Sequence, residues 1–153
     1  MAVPLERLDL TQQDVAAAVL GLQRRAYGIE AALIGSDEIP QLTETLEELQ
    51  ASGETFLGAY LEETLVGAIS WRAVGRVIDL HRLVVDPDCF RTGIGAALVR
   101  AALAAEPEAD RAVVQTGSSN VPAKRLYRRE GFEEIDEVDV VPGLRVTRFG
   151  RRL

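Results

Sequence analysis

The stretch "VVDPDCFRTGIGAALV", Val84 to Val99, passes from a β-branched run through a glycine pair into a segment rich in alanine and leucine. Gly93 and Gly95 fall where a strand must hand over to a helix. The first amides of a helix have no intrahelical partner and sit at the positive end of its dipole, which makes such a start an anion site. Arg91 can add a charge-assisted hydrogen bond to a phosphate oxygen, and Thr92 a hydroxyl. The alternative is a tight turn that uses glycine for steric reasons alone. Two nucleotide-binding patterns are not met. A P-loop needs Lys followed by Ser or Thr after its second glycine, but Ala96 and Ala97 follow Gly95. A dinucleotide fingerprint needs a third small residue where Leu98 stands.

Proton chemistry has few candidates. All but one of the 17 basic residues are arginine, Lys124 being the exception, and arginine does not serve as a proton acceptor. A base must therefore come from a carboxylate, a tyrosine, a water or the single histidine, His81, imidazole being the usual general base of proteins. One histidine and one cysteine, Cys89, are too few for a zinc site or an internal disulfide, so no metal is expected. Covalent catalysis by Cys89 would need a triad that cannot be assembled around it. A net charge of -7 argues against nucleic-acid partners and suits a cationic substrate such as an amine.

These residues need a scaffold, and 153 residues suffice for a single domain spanning 1–153. No apolar run is long enough for a membrane span and the N-terminus lacks the pattern of a signal peptide, so a soluble, cytoplasmic protein is expected. "LERLDL" predicts a first strand and Thr11 opens a helix over Gln12 to about Tyr27. "IEAALIGSDEIPQ" is ambiguous between loop and a short helix, and Thr43 is expected to cap a short acidic helix ending near Ala51. "TFLGAYL", "TLVGAISWRAV" and "RVIDLHRLVV" predict an antiparallel meander. A helix from Gly93 to about Ala105, a strand "AVVQTG", a helix from Val121 to Glu130 and two strands around "PG" complete the order. This mixture predicts an α/β fold with one central, mostly antiparallel sheet and helices on both faces. Trp71 and Tyr60 are expected in the core or on cleft walls, and Tyr27 with Glu30 one turn apart beside an acceptor pocket.

The glycine loop followed by "TGSSNVPAKRLYRREGF" resembles the two signature regions of the GCN5-related N-acetyltransferases, the acetyl-CoA-dependent GNAT family. The first matches its pyrophosphate loop, Q/R-x-x-G-x-G/A. The second matches Asn-x-x-Ala-x-x-x-Tyr-x-x-x-Gly-Phe through Asn120, Ala123, Tyr127, Gly131 and Phe132. The likeness covers about Leu83 to Phe132 and departs at one place: Phe90 stands where the family has Gln or Arg, with Arg91 one position later.

The resemblance implies a splayed acyl-CoA N-acyltransferase sheet and acetyl transfer from acetyl-CoA to a primary amine of a small molecule or peptide, by direct attack in a ternary complex. The loop Phe90, Arg91, Thr92, Gly93, Ile94, Gly95 and Ala96 would hold the pyrophosphate. Leu83, Val84 and Val85 would offer main-chain groups to the pantetheine arm and the acetyl carbonyl, with Asn120 and Ala123 beside that arm. Tyr127 would protonate the leaving thiolate, a task that suits a phenol. Its alternative is packing, since Ala123, Leu126 and Tyr127 share a helical face. Asn120 is likewise a favoured helix cap. Asp79, four residues before Leu83 and expected on its face of the strand, matches the place of a glutamate base in histone-type members; His81 is the second candidate base and water the third. A CoA-binding sensor without catalysis is the rival function, and sheet edges leave room for a homodimer.

Overall fold

The computed structural model describes residues 3–34 and 43–153, the side chains of 29–34 excepted. Its frame is a seven-stranded sheet with the order β1-β2-β3-β4-β5-β7-β6. Strand β1 (Leu5–Leu8) lies at one edge, followed by the meander β2 (Thr55–Leu61), β3 (Thr64–Val74) and β4 (Val77–Val85). β5 (Arg111–Gly117) joins β4 in parallel, and β7 (Leu144–Arg152) inserts between β5 and the outer strand β6 (Glu133–Val141). The meander and the terminal hairpin thus fall where the β-rich runs predict them. The turns are tight: Glu62 and Glu63 both adopt positive φ, 48° and 69°, between β2 and β3.

Among the described residues four helices cover the sheet: α1 (Gln13–Ile34), α2 (Leu46–Gln50), α3 (Ile94–Ala104) and α4 (Val121–Arg129). α1 continues well past Tyr27, so Ile29 to Ile34 of the ambiguous segment are helical, while its continuation, residues 35–42, and the Glu30 side chain lie outside the described residues. The cap of α2 is Thr45, not Thr43: its hydroxyl accepts from the Glu48 amide at 3.2 Å and the Glu48 carboxylate returns the bond to the Thr45 amide at 2.9 Å. This reciprocal capping box requires a Glu three residues on, which Thr45 has and Thr43 lacks.

Two apolar clusters lie on opposite faces. One unites Ile69, Trp71, Ile78 and Leu80 with α3 and with Tyr127, Phe132 and Phe149. The other unites Phe56, Ala68 and Val84 with α1 and α2. Trp71 is wholly buried, its indole N–H donating to Glu106 at 3.2 Å. α3 seats against Gly67 of β3, where a methyl group would stand 2.9 Å from Ile94 Cγ2 and 3.1 Å from Leu98 Cδ1. Gly67→Ala should therefore lower the stability to urea denaturation by about 1–3 kcal/mol through overpacking, and an unchanged midpoint would refute this packing.

Candidate active site

Two irregularities of β4 build the site. First, β4 pairs with β5 over only three rungs, Val77 with Arg111, Ile78 with Ala112 and Asp79 with Val113. Beyond Asp79 the strands part, leaving the main chain from Leu80 to Val85 without a β5 partner. Second, the register against β3 slips between Ser70 and Trp71, which pair with Arg82 and Leu80 and leave His81 as the extra residue. Such a bulge turns the alternation over. Ile78 and Leu80 belong to the α3-side cluster, yet after the bulge Leu83 and Val85 pack on that side and Val84 enters the α1-side core. Asp79 and Leu83 are therefore not on one face, as simple counting by fours requires. Asp79 instead shares the α1 side with His81 and Arg82.

A cleft of about 580 Å³ opens where β4 and β5 separate. Leu80, Val114 and Phe149 of the α3-side core line it, and so do Asp79, His81, Val113 and Gln115 from the alternate positions. Side chains from both faces line it because the gap passes through the sheet. His81 Nε2 is 3.2 Å from Asp79 Oδ2, and its Nδ1 is 3.6 Å from Glu54 Oε2. The two candidate bases are thus in contact with each other inside the cleft.

Behind them lies a buried ion cluster that inspection of the sequence did not single out. The Arg82 guanidinium donates to Glu54 at 2.8 and 3.1 Å, to Glu44 at 2.5 and 3.0 Å and to the Gln23 carbonyl oxygen at 2.8 Å. Glu54 also accepts from the Ser70 hydroxyl at 2.6 Å. Burial pushes the Glu54 carboxyl upward, but the bonds from Arg82 and Ser70 outweigh it and hold the group below the ordinary glutamate range. Burial likewise opposes the charge on Arg82, and its two carboxylates overcome that and keep it protonated. The signal available in the sequence was an arginine at an inward position of the otherwise apolar run "LHRLVV".

The glycine loop begins with a short turn, Pro87–Cys89, and the two glycines do different work. Gly93 is the N-cap of α3 with φ 83° and makes no side-chain cap, so the first-turn amides receive no side-chain acceptor. A Cβ at Gly93 would meet open space, whereas one at Gly95 would press Leu126 Cδ2 at 3.3 Å. Gly93 therefore serves backbone conformation and Gly95 the contact of α3 with α4. Arg91 also has positive φ, 65°. The Thr92 hydroxyl donates to the Cys89 carbonyl at 2.6 Å and shapes the loop, leaving only its lone pairs for other donors. Phe90 is exposed, Ile94 is buried in the core and Cys89 is a half-buried free thiol.

In the second signature region, Asn120 caps α4, its side-chain oxygen accepting from Ala123 N at 3.2 Å. Among the described residues its amide NH₂ makes no hydrogen bond, and since no buried side-chain nitrogen there lacks a partner, this NH₂ reaches solvent although most of Asn120 is buried. The Tyr127 ring is buried edge-on to Phe132, with centroids 5.7 Å apart, and tilted to Phe149 at 6.0 Å. Because Phe149 is itself a wall of the cleft, Tyr127 stands one ring behind the gap on the α3 side. The structure thus gathers Asp79 and His81 directly and Tyr127 at one remove. Tyr60 and Tyr27 pack in or against the α1-side core, away from the cleft walls.

Residues 31–153 match the family model of the acetyltransferase (GNAT) domain. The chain belongs to this family. The UPF0157 protein YqkA of Bacillus subtilis is 36% identical over 145 residues, covering 95% of this chain; the chain spans 42% of that relative's length. The fold is shared with the PaiA N-acetyltransferase of Thermoplasma acidophilum, solved in complex with coenzyme A, at TM-score 0.82 and 19% identity with 100% of both chains covered. It is also shared with an acetyltransferase from Thermus thermophilus, at TM-score 0.76 and 17% identity over 100% and 98% of the two chains.

Breaking the Arg82 cluster should be costly. Arg82→Ala strands two carboxylates and is expected to cost about 3–5 kcal/mol in denaturant unfolding. Because Glu54 titrates lower in the folded than in the unfolded chain, its contribution is present above the ordinary glutamate value and is lost as pH falls through the folded one. Glu54→Gln should accordingly flatten the fall in stability below about pH 4.5, and a profile identical to that of the wild type would refute the assignment.

Proposed function

We propose that the protein transfers an acetyl group from acetyl-CoA to a primary amine, by direct attack in a ternary complex assembled in the β4–β5 gap. The observation that carries this is the opening of β4 from β5 directly beside an uncapped helix start. The main chain of Leu83, Val84 and Val85, without a β5 partner, leads to the amides of Gly93 to Ala96, as a thioester whose long arm leads to a pyrophosphate requires. These residues fit the group: Gly93 leaves open space over the loop, the first-turn amides receive no side-chain acceptor, and the Asn120 NH₂ faces no protein acceptor. When bound, acetyl-CoA supplies an activated acyl carbon and a thiolate leaving group.

The chain's own residues do the rest. The amides of β4 beyond the bulge orient the acyl oxygen and stabilise the charge that grows on it. The loop amides, with Arg91, neutralise the pyrophosphate, and its main chain serves where Phe90 replaces the family's polar side chain. Asp79 and His81 hold the incoming amine and take its proton as the N–C bond forms. Tyr127 gives its phenolic proton to the sulfur as the C–S bond breaks, and solvent returns both groups to their starting states.

Tyr127→Phe keeps the ring contacts to Phe132 and Phe149 and removes only the proton donor. It is expected to lower turnover about 100-fold with acetyl-CoA affinity by calorimetry unchanged. Equal turnover in the two proteins would remove Tyr127 from the chemistry. Acetyl-CoA binding without release of free CoA thiol across a panel of primary amines would instead indicate a binding module on the same fold.

A further inference from the structure

The far wall of the cleft carries side-chain hydrogen-bonding groups without a partner among the described residues. Arg111 and Gln115 of β5 both line it, and neither side chain makes a hydrogen bond or ion pair to a described residue. The contrast with nearby arginines is plain: Arg148 is held by Asp136 at 2.6 and 2.5 Å, and Arg145 by Glu137 and Asp139. The Arg111 guanidinium lies over Gly150 of β7. Gly150 of β7 pairs with Val113, which pairs with Asp79, so the three residues form one rung across β4, β5 and β7. A Cβ on Gly150 would stand 3.3 Å from Arg111 Nη2 and 3.0 Å from Ile135 Cδ1. The absence of a side chain at Gly150 thus lets a guanidinium and an apolar side chain lie over the sheet at the level of Asp79.

Ile135 reaches this place because β6 slips its register between Glu134 and Asp136, leaving Ile135 as the extra residue, half exposed in the cleft. Asp79 and Gly150 are two strands apart, about 10 Å at the main chain. The cleft thus has a carboxylate–imidazole pair, Asp79 and His81, on one wall and the Arg111 guanidinium beside Ile135, over Gly150, on the other.

Resting on the acetyl-transfer activity proposed above, we propose that the acceptor is an amino carboxylate: an amino acid or similar small molecule whose ammonium group meets Asp79 and His81 and whose carboxylate meets Arg111. Gln115 donates a second hydrogen bond to that carboxylate, and Ile135 covers an apolar side chain. A guanidinium suits a carboxylate because its planar N–H pairs match the two oxygens. Arg111 here is a specificity residue, acting on the acceptor and not on the thioester.

The test compares leucine with isoamylamine, the same amine without its carboxylate, as acceptors for the full chain with acetyl-CoA. Free thiol release is followed, and binding of N-acetylleucine to the protein alone is measured by calorimetry. The expected result is a preference for leucine of at least about tenfold in kcat/KM, the worth of one hydrogen bond to a charged group. Arg111→Gln should abolish that preference, chiefly through KM, and weaken N-acetylleucine binding by a similar factor, while Arg111→Lys should restore part of each. Isoamylamine acetylated as well as leucine, or N-acetylleucine bound equally by wild type and Arg111→Gln, would overturn the acceptor class and leave the acetyltransferase reading standing. No thiol release with any amine would overturn both.

Discussion

The parting of β4 from β5 after Asp79 is the constraint on which the rest of the molecule depends. A continuous parallel pair would hydrogen-bond the main chain of both strands and leave no gap. Here the pairing stops after three rungs, and the neighbouring bulge at His81 re-aims every side chain that follows. That single extra residue turns Arg82 toward the α1 side, beside Asp79, and returns Leu83 and Val85 to the α3 side. The parting itself leaves the main chain from Leu80 to Val85 without a strand partner on the β5 side, and under the proposed function acetyl-CoA takes that place.

A bulge beside an unpaired strand needs support, and the Arg82 cluster supplies it. One guanidinium ties β4 to Glu54 ahead of β2, to Glu44 ahead of α2 and to Gln23 of α1. Ion clusters of this kind are poor sources of net stability compared with apolar packing, but they are exacting about geometry. In this protein the cluster fixes the segment that carries His81 against the elements of the α1 side. The carboxylates are also the reason an arginine can be tolerated in the middle of an otherwise apolar strand.

Much of this was legible in the sequence. Period-two runs and turn residues placed β2, β3 and β4 with their observed order, and the spacing of Gly93, Asn120, Tyr127 and Gly131 marked both signature regions. What escaped was set by tertiary structure. The bulge at His81 leaves no mark in a run that alternates well enough to be read as a regular strand, so counting by fours put Asp79 on the wrong face. The insertion of β7 between β5 and β6 is a choice of partner that local pattern does not encode. The partners of Arg82 are separated from it by 28, 38 and 59 residues, beyond the reach of any spacing rule. Gly93 and Gly95 looked like a pair with one purpose, yet one serves the turn and the other the contact with Leu126.

The central claim is that acetyl-CoA occupies the β4–β5 gap with its pyrophosphate on the start of α3. Amide hydrogen exchange with and without acetyl-CoA tests it most directly, because the groups at issue are main-chain N–H groups. Slowed exchange is expected, concentrated at Leu83 to Val85 and at Gly93 to Ala96. Saturating acetyl-CoA that leaves those two segments unprotected would contradict it.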